Sequence, residues 1–131
     1  MAKNTASWAV RIVAAVILLQ TLFFKFTGAA ESVEIFTQLG LEPHGRILIG
    51  ILELFVAILL LIPRSVAYGA LLGVGIMSGA ILSHITELGW EGEMLSLGLL
   101  AVVVWVLCLI TLFLHRRQIT IVSRMLDSAD N

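Results

Sequence analysis

Long apolar runs, separated by short polar connections, dominate the order of residues along the chain. Residues 65–86 and 94–114 contain no Asp, Glu, Lys or Arg. A helix that crosses a bilayer needs about 20 mostly apolar residues, and each of these two runs is long enough to do so. We therefore predict a membrane-spanning helix in each.

Two further runs are apolar but carry charges. Residues 47–62 are interrupted only by Glu53, and Arg46, whose long side chain can extend toward the interface, lengthens this run to 46–62. Residues 8–27 contain Arg11 and Lys25 near their two ends, where a long basic side chain can extend along apolar surface to the interface. With these two, the pattern predicts four membrane-spanning helices in one membrane domain, followed by a polar tail at 115–131.

The connection between the first two spans has its own helical pattern. The apolar residues Val33, Phe36 and Leu39 lie near helical spacing, and polar residues occupy the other faces of the predicted helix. Gly40 and Pro43 then end the pattern, as is typical beyond a helix C-terminus. Such a segment is typical of a short helix lying at the membrane surface. The predicted fold is an all-α, transmembrane four-helix bundle with a short interfacial helix between helices one and two.

Composition excludes several classes of protein. Apolar residues make up 60% of the 131-residue chain and charged residues 13%, against roughly 45–50% and about 25% in soluble domains. The net charge of −1 gives no reason to expect a nucleic-acid partner. Cys108 is the single cysteine, so neither an intramolecular disulfide nor a self-contained dithiol relay can form.

Basic residues are distributed unevenly between the two sides of the predicted bundle. If the N-terminus is cytoplasmic, only Lys25 and Arg46 fall on the outer side. The inner side then holds Lys3, Arg11, Arg64, Arg116, Arg117 and Arg124. The positive-inside rule favours this orientation. We expect an integral protein of a bacterial inner (plasma) membrane, with both termini cytoplasmic.

The third span carries two pairs of glycines at four-residue spacing. Gly69 and Gly73 form one pair, and Gly75 and Gly79 form the other. The two pairs lie on helix faces about 110° apart. Since small residues let helices approach closely in a membrane, we expect both pairs to pack on neighbouring helices. Packing within the bundle is the simpler interpretation, and a homo-oligomer using one face is the alternative.

Ionisable side chains inside a span are costly and by default suggest a function. At about 1.5 Å per residue, Lys25, Glu53 and His84 fall at similar depths in the outer half of three helices. Lys25 is the first candidate partner for Glu53, and Arg46 is the second. One interpretation is a polar pocket, formed by these three residues and Arg46, that opens outward and holds a polar head group or passes a proton. The other is a structural ion pair with a capping histidine. One connected cavity would favour the first, and a closed pair the second.

Other candidate chemistry is weaker. His44 and His84 both lie near the outer face, but no carboxylate or cysteine completes a haem or metal set. Cys108 in the fourth span is most simply a buried apolar filler. No catalytic constellation is present. We therefore expect no metal and no evident cofactor, and the sequence argues against an enzyme more than for one.

Several segments resemble the DoxX-like family of small membrane proteins. The resemblance covers about residues 18–88. The fourth predicted helix of the chain matches the family in hydropathy only. The matching segments, in order, are 24–28 (Phe-Lys-Phe-Thr-Gly), 34–41, 50–54 (Gly-Ile-Leu-Glu-Leu), 59–64 and 79–84 (Gly-Ala-Ile-Leu-Ser-His). The resemblance implies a four-helix membrane bundle. Some relatives are named for association with thiosulfate–quinone or other oxidoreductase systems, and many have no known activity.

Two functions from different classes follow as hypotheses. The first is an accessory or binding subunit that holds a quinone or another small amphiphile, or a partner, at the outer pocket. Its partners would be the lipid bilayer and a membrane or redox protein, or a second copy of the chain. The alternative is a small proton-coupled multidrug-type exporter that uses Glu53 as its membrane carboxylate.

Overall fold

The computed structural model describes residues 2–130, and the side chains of all of these except 2, 3 and 120–122. Every regular element among them is helical, which confirms the all-α fold. The helices are α1 (Ala2–Thr27), α2 (Ala30–Gln38), α3 (His44–Leu61), α4 (Val66–Ser83), α5 (Glu93–Leu114) and α6 (Thr120–Asp130). A π-helical turn, His84–Leu88, extends α4, and a 3₁₀ turn, Arg116–Gln118, follows α5.

Four helices are long and apolar enough to cross a membrane, as the hydropathy predicted. They are Asn4–Thr27, His44–Leu61, Val66–Leu88 and Glu93–Leu114. α1 packs against α3 and α5, and α4 packs against the same two helices. α2 lies at one end of this bundle, here called the α2 end. The start of α1, the α3–α4 turn and the end of α5 lie at the other, here called the terminus end.

Alanine is the commonest residue in the centre of the bundle. The buried core is built from Ala14, Ala15, Leu18, Val56, Ala57, Leu60, Ala70, Met77, Ala101, Val104 and Cys108. Many larger apolar side chains point outward instead, and Phe23, Leu82 and Phe113 are more than half exposed. An apolar exterior around a core rich in alanine is the arrangement expected where lipid is the solvent, because close packing then replaces the hydrophobic drive.

The two glycine pairs of α4 have different surroundings. A Cβ added at Gly69 would lie 2.7 Å from Leu59 Cβ, and one added at Gly73 would lie 2.6 Å from Cys108 Sγ. These glycines therefore hold α4 close to α3 and α5. A Cβ at Gly75 or Gly79 would meet no described atom within 4 Å. The expected packing of this second pair on a neighbouring helix is thus not observed within the described chain.

Arg11 joins α1 to α3 at the terminus end. Its Nε donates a hydrogen bond of 2.6 Å to the Leu60 carbonyl, and its guanidinium lies 3.8 Å from the centre of the Trp8 ring. The residue is only 3% exposed. Its side chain thus partners a carbonyl in the last turn of α3, a contact that the sequence did not predict.

The segment predicted as a polar tail is helical over much of its length and is tied to the bundle. Gln118 accepts a hydrogen bond of 2.9 Å from the Ala67 backbone N–H and donates one of 2.8 Å to the Pro63 carbonyl. A side chain after α5 thereby satisfies a backbone donor in the first turn of α4.

Candidate ligand-binding cavity

The four spanning helices enclose a cavity of about 580 Å³ in the half of the bundle nearer the α2 end. Ligand pockets for small molecules commonly measure about 300–1,000 Å³ and are mostly apolar with a few polar groups. In this cavity, the polar residues of the wall are Gln20, Thr21, Lys25, Glu31, Ser32, Glu53, Ser83 and His84. The rest of the wall is mainly aliphatic and aromatic, and all of the first five helices contribute to it.

Lys25 and Glu53 form an ion pair in the cavity wall. Lys25 Nζ lies 3.2 Å from Glu53 Oε2, and the two side chains are 16% and 5% exposed. The Thr21 hydroxyl lies 2.9 Å from the Leu18 carbonyl oxygen and 3.4 Å from the same Oε2. Both contacts with the carboxylate thus fall on Oε2, and its other oxygen accepts no hydrogen bond from the described residues.

His84 begins the π-helical turn that extends α4. Its Nδ1 lies 2.9 Å from the Ala80 carbonyl oxygen. Because a carbonyl only accepts, Nδ1 must carry the proton, and Nε2 of the neutral ring is then an acceptor. Nε2 is buried and has no hydrogen-bond partner among the described residues. Buried polar atoms without partners are uncommon, and π-helical turns recur at functional sites.

Trp90 lies beside His84, with ring centroids 5.3 Å apart. Trp90 sits in the connection between α4 and α5, against the backbone of α5 at Gly98. A Cβ at Gly98 would overlap the indole ring, and it would lie 3.0 Å from His84 Cδ2. Gly98 thus makes room for an aromatic side chain next to a cavity-lining histidine, which places a native fluorophore near the site.

Arg46 lies near the cavity but does not form part of its wall. Its Nε is 2.9 Å from both carboxylate oxygens of Glu42, and its Nη1 donates to the Lys25 carbonyl. Of the two partners considered for Glu53, the structure pairs it with Lys25. Arg46 instead joins the end of α1 to the start of α3, and so helps to position the Lys25 backbone.

Sequence reasoning brought Lys25, Glu53 and His84 to one depth, and the structure brings all three to one cavity. It missed Thr21, although this residue lies one helical turn before Lys25 and so shares its face. It also missed the contribution of α2, whose Glu31 and Ser32 line the cavity. The polar face of α2 in the sequence could have indicated that this helix contributes to the cavity.

Gly75 and Gly79, assigned to helix packing from the sequence, also line the cavity. Since neither carries a side chain, this face of α4 leaves space that a larger residue would fill. Among the described residues, no three His, Cys, Asp or Glu side chains are grouped so as to hold a metal ion. Cys108 is fully buried in the core, apart from the cavity wall.

Comparison with known proteins agrees with this architecture. The model of the DoxX-like family matches residues 9–107, which extends from the first turns of α1 well into α5. The match therefore reaches beyond the region in which the sequence motifs suggested a resemblance. No curated protein and no solved structure gives a significant match to the chain. Four span-capable helices and a family match over most of the chain lead to one conclusion: this integral membrane protein belongs to the DoxX-like family.

Proposed function

We propose that the protein is an accessory membrane subunit that binds a small amphiphile in the cavity at the α2 end. One observation carries this proposal: ionisable side chains from three helices line a single cavity of about 580 Å³ whose remaining wall is mainly apolar. The ligand's polar end would contact Lys25 and Glu53. Its apolar part would lie among the aliphatic side chains of α4 and α5.

The surroundings of the Lys25–Glu53 pair favour ligand binding over a purely structural role. Burying two charges carries a desolvation cost that their mutual attraction does not always offset. A pair that served only to join α1 and α3 would gain from being enclosed by packed side chains. Here the pair instead borders open volume, and Gly75 and Gly79 leave further space on the same wall.

A quinone is the candidate ligand, and a membrane or redox protein is the candidate partner. Short-chain quinones quench indole fluorescence, so the test is a titration of purified protein with a decyl quinone. We expect saturable quenching and a rise in thermal stability. Trp90→Phe should remove most of the quenching but keep the stabilisation, because Trp90 is the indole beside the cavity-lining His84.

The matched control is a variant with a filled cavity. Gly79→Leu should fold, because a Cβ there meets no described atom within 4 Å, and its side chain should exclude the ligand. Equal responses of wild type and Gly79→Leu would show partitioning into detergent or lipid and would contradict the proposal. Unchanged fluorescence and stability with quinone alone would remove quinones as the ligand class.

The exporter hypothesis is the second candidate, and the buried carboxylate of Glu53 in a cavity wall is what favours it. Such a carboxylate must exchange a proton for the transported molecule, whereas Glu53 is already paired with Lys25 at 3.2 Å. The exporter predicts proton release on ligand addition that disappears in Glu53→Gln. Ligand binding without proton release would support the binding subunit instead.

The membrane orientation belongs to the same proposal, with both termini on the cytoplasmic side of a bacterial inner membrane. Single cysteines introduced in a Cys108→Ala background test it. Glu91→Cys, in the connection between α4 and α5, should react with an impermeant maleimide in intact cells. Ser128→Cys, in α6, should react only after permeabilisation. The reverse pattern would contradict the orientation.

A further inference from the structure

The charges in the cavity wall nearly cancel. Lys25 and Glu53 neutralise each other at 3.2 Å. Among the described residues, the one other charged residue that lines the cavity is Glu31, an exposed residue of α2. Arg46 is engaged with Glu42 and lies outside the wall. No unpaired cation therefore faces the cavity from the described residues, so an anionic head group would meet no charge that favours it.

The ion pair nevertheless has hydrogen-bonding capacity left. The Glu53 oxygen that accepts no hydrogen bond from the described residues can accept one from a ligand. An ammonium group has three N–H donors, so Lys25 retains donors beyond the one directed at Glu53. A donor and an acceptor thus stand side by side in the wall, each on a charged group, and hydrogen bonds to charged groups are the stronger ones.

A hydroxyl group complements this pair, because it donates one hydrogen bond and accepts another. An ether or ketone oxygen can accept from Lys25 but gives nothing to Glu53. A carboxylate or sulfonate can accept from Lys25 but donates nothing to Glu53, and an ammonium can donate to Glu53 but accepts nothing from Lys25. The attraction of either ion to one member of the pair is opposed by repulsion from the other. Of these head groups, the hydroxyl alone uses both members without breaking the pair.

We propose that the cavity selects amphiphiles with an uncharged hydroxyl head group over ether, anionic and cationic analogues of the same chain length. This selection rests on the proposed binding function and specifies its ligand class. Applied to quinones, it favours the reduced, dihydroxy form over the oxidised, dicarbonyl form. The neutrality of the Lys25–Glu53 pair is what sets the preference, so altering one member alone should shift it in a defined direction.

The test is a competition assay with purified protein in phosphatidylcholine nanodiscs, with tritiated dodecan-1-ol as the bound probe. The unlabelled competitors are dodecan-1-ol, dodecyl methyl ether, dodecanesulfonate and dodecylammonium, each compared at equal concentration in the membrane. In the wild type we expect dodecan-1-ol to compete about tenfold better than the other three, since each of those loses a hydrogen bond to a charged group.

Two variants then test the role of charge. Glu53→Gln leaves Lys25 unpaired, and we expect dodecanesulfonate to become the best competitor. Lys25→Gln leaves Glu53 unpaired, and we expect dodecylammonium to become the best. Glu42→Gln is the matched control, because it also removes a carboxylate from an ion pair near the α2 end but does not line the cavity. Its competitor order should equal that of the wild type.

The outcomes distinguish a failure of hydroxyl selection from a failure of amphiphile binding, on which that selection rests. If dodecan-1-ol binds but the competitors displace it equally in the wild type, hydroxyl selection is overturned and amphiphile binding stands. If no dodecan-1-ol binds beyond the level of Gly79→Leu, both are overturned. The wild-type series decides the matter even if a variant fails to fold, which far-ultraviolet circular dichroism would show. An unchanged competitor order in a folded Glu53→Gln would overturn the role assigned to the pair.

Discussion

Replacing Gly69 with alanine would place a methyl group between two helices that are already in contact. The new Cβ would lie 2.7 Å from Leu59 Cβ, 3.0 Å from the Leu60 backbone nitrogen and 3.1 Å from the Leu59 carbonyl carbon. Two of these atoms are backbone, so no change of rotamer can relieve the overlap. α4 must move away from α3 instead, and overpacking of this kind typically costs about 1–3 kcal/mol.

Gly79→Ala is the matched comparison, because it makes the same change on the same helix where no described atom lies within 4 Å. Alanine favours a helix over glycine by about 1 kcal/mol, and this gain applies to both variants. The gain therefore cancels in the difference between them. We expect Gly69→Ala to be less stable than Gly79→Ala by about 1–3 kcal/mol, the cost of the overlap alone.

The assay is an equilibrium titration with sodium dodecyl sulfate in mixed micelles, followed by far-ultraviolet circular dichroism. It gives the free energy of unfolding for the wild type and for each variant. Gly79→Ala should equal or exceed the wild type. Equal stability of the two variants would refute the assignment of one glycine pair to helix contact and the other to open volume.

Three further predictions concern the terminus end and the core. Arg11→Met should destabilise the bundle by about 1–3 kcal/mol, because the buried Leu60 carbonyl loses its donor; wild-type stability in the same titration would contradict this. Gln118→Ala should lower the free energy of unfolding by a similar amount, because two hydrogen bonds are lost, including the one from the Ala67 N–H. Gln118→Glu should recover part of this stability, because its carboxylate can still accept from Ala67. Cys108 is 0% exposed, so its maleimide labelling should be slow in native micelles and should follow unfolding; rapid native labelling would place the thiol outside the core.

The four spans could be predicted because the thickness of the bilayer sets the length of an apolar run, whatever the packing. Of the charged residues within the two imperfect runs, Lys25 and Glu53 were expected to pair, and they do. The hydrogen bond from Arg11 to the Leu60 carbonyl of α3 was not foreseen. That contact depends on how α1 and α3 are rotated toward each other, which hydropathy does not specify.

The depth of the site along the helices could be predicted, but the contacts around it could not. Residue spacing gave the heights of Lys25, Glu53 and His84, because the rise per residue of a helix is fixed. The same spacing could not decide which glycine pair packs, since both pairs carry an identical signal and differ only in whether a neighbouring helix lies close. The pairing of Arg46 with Glu42 was visible as a four-residue spacing and would have left Lys25 as the remaining partner for Glu53.

Ligand binding in the cavity can be tested by mapping where a ligand is held within the protein. Purified protein in nanodiscs would be irradiated with a diazirine-bearing octanol, and the labelled residues would be located by mass spectrometry. We expect labels on cavity-lining residues of α1, α4 and α5, with the labelling competed by unlabelled octanol and lost in Gly79→Leu. Labels confined to outward-facing side chains such as Phe23 and Phe113, and unchanged in Gly79→Leu, would contradict this expectation.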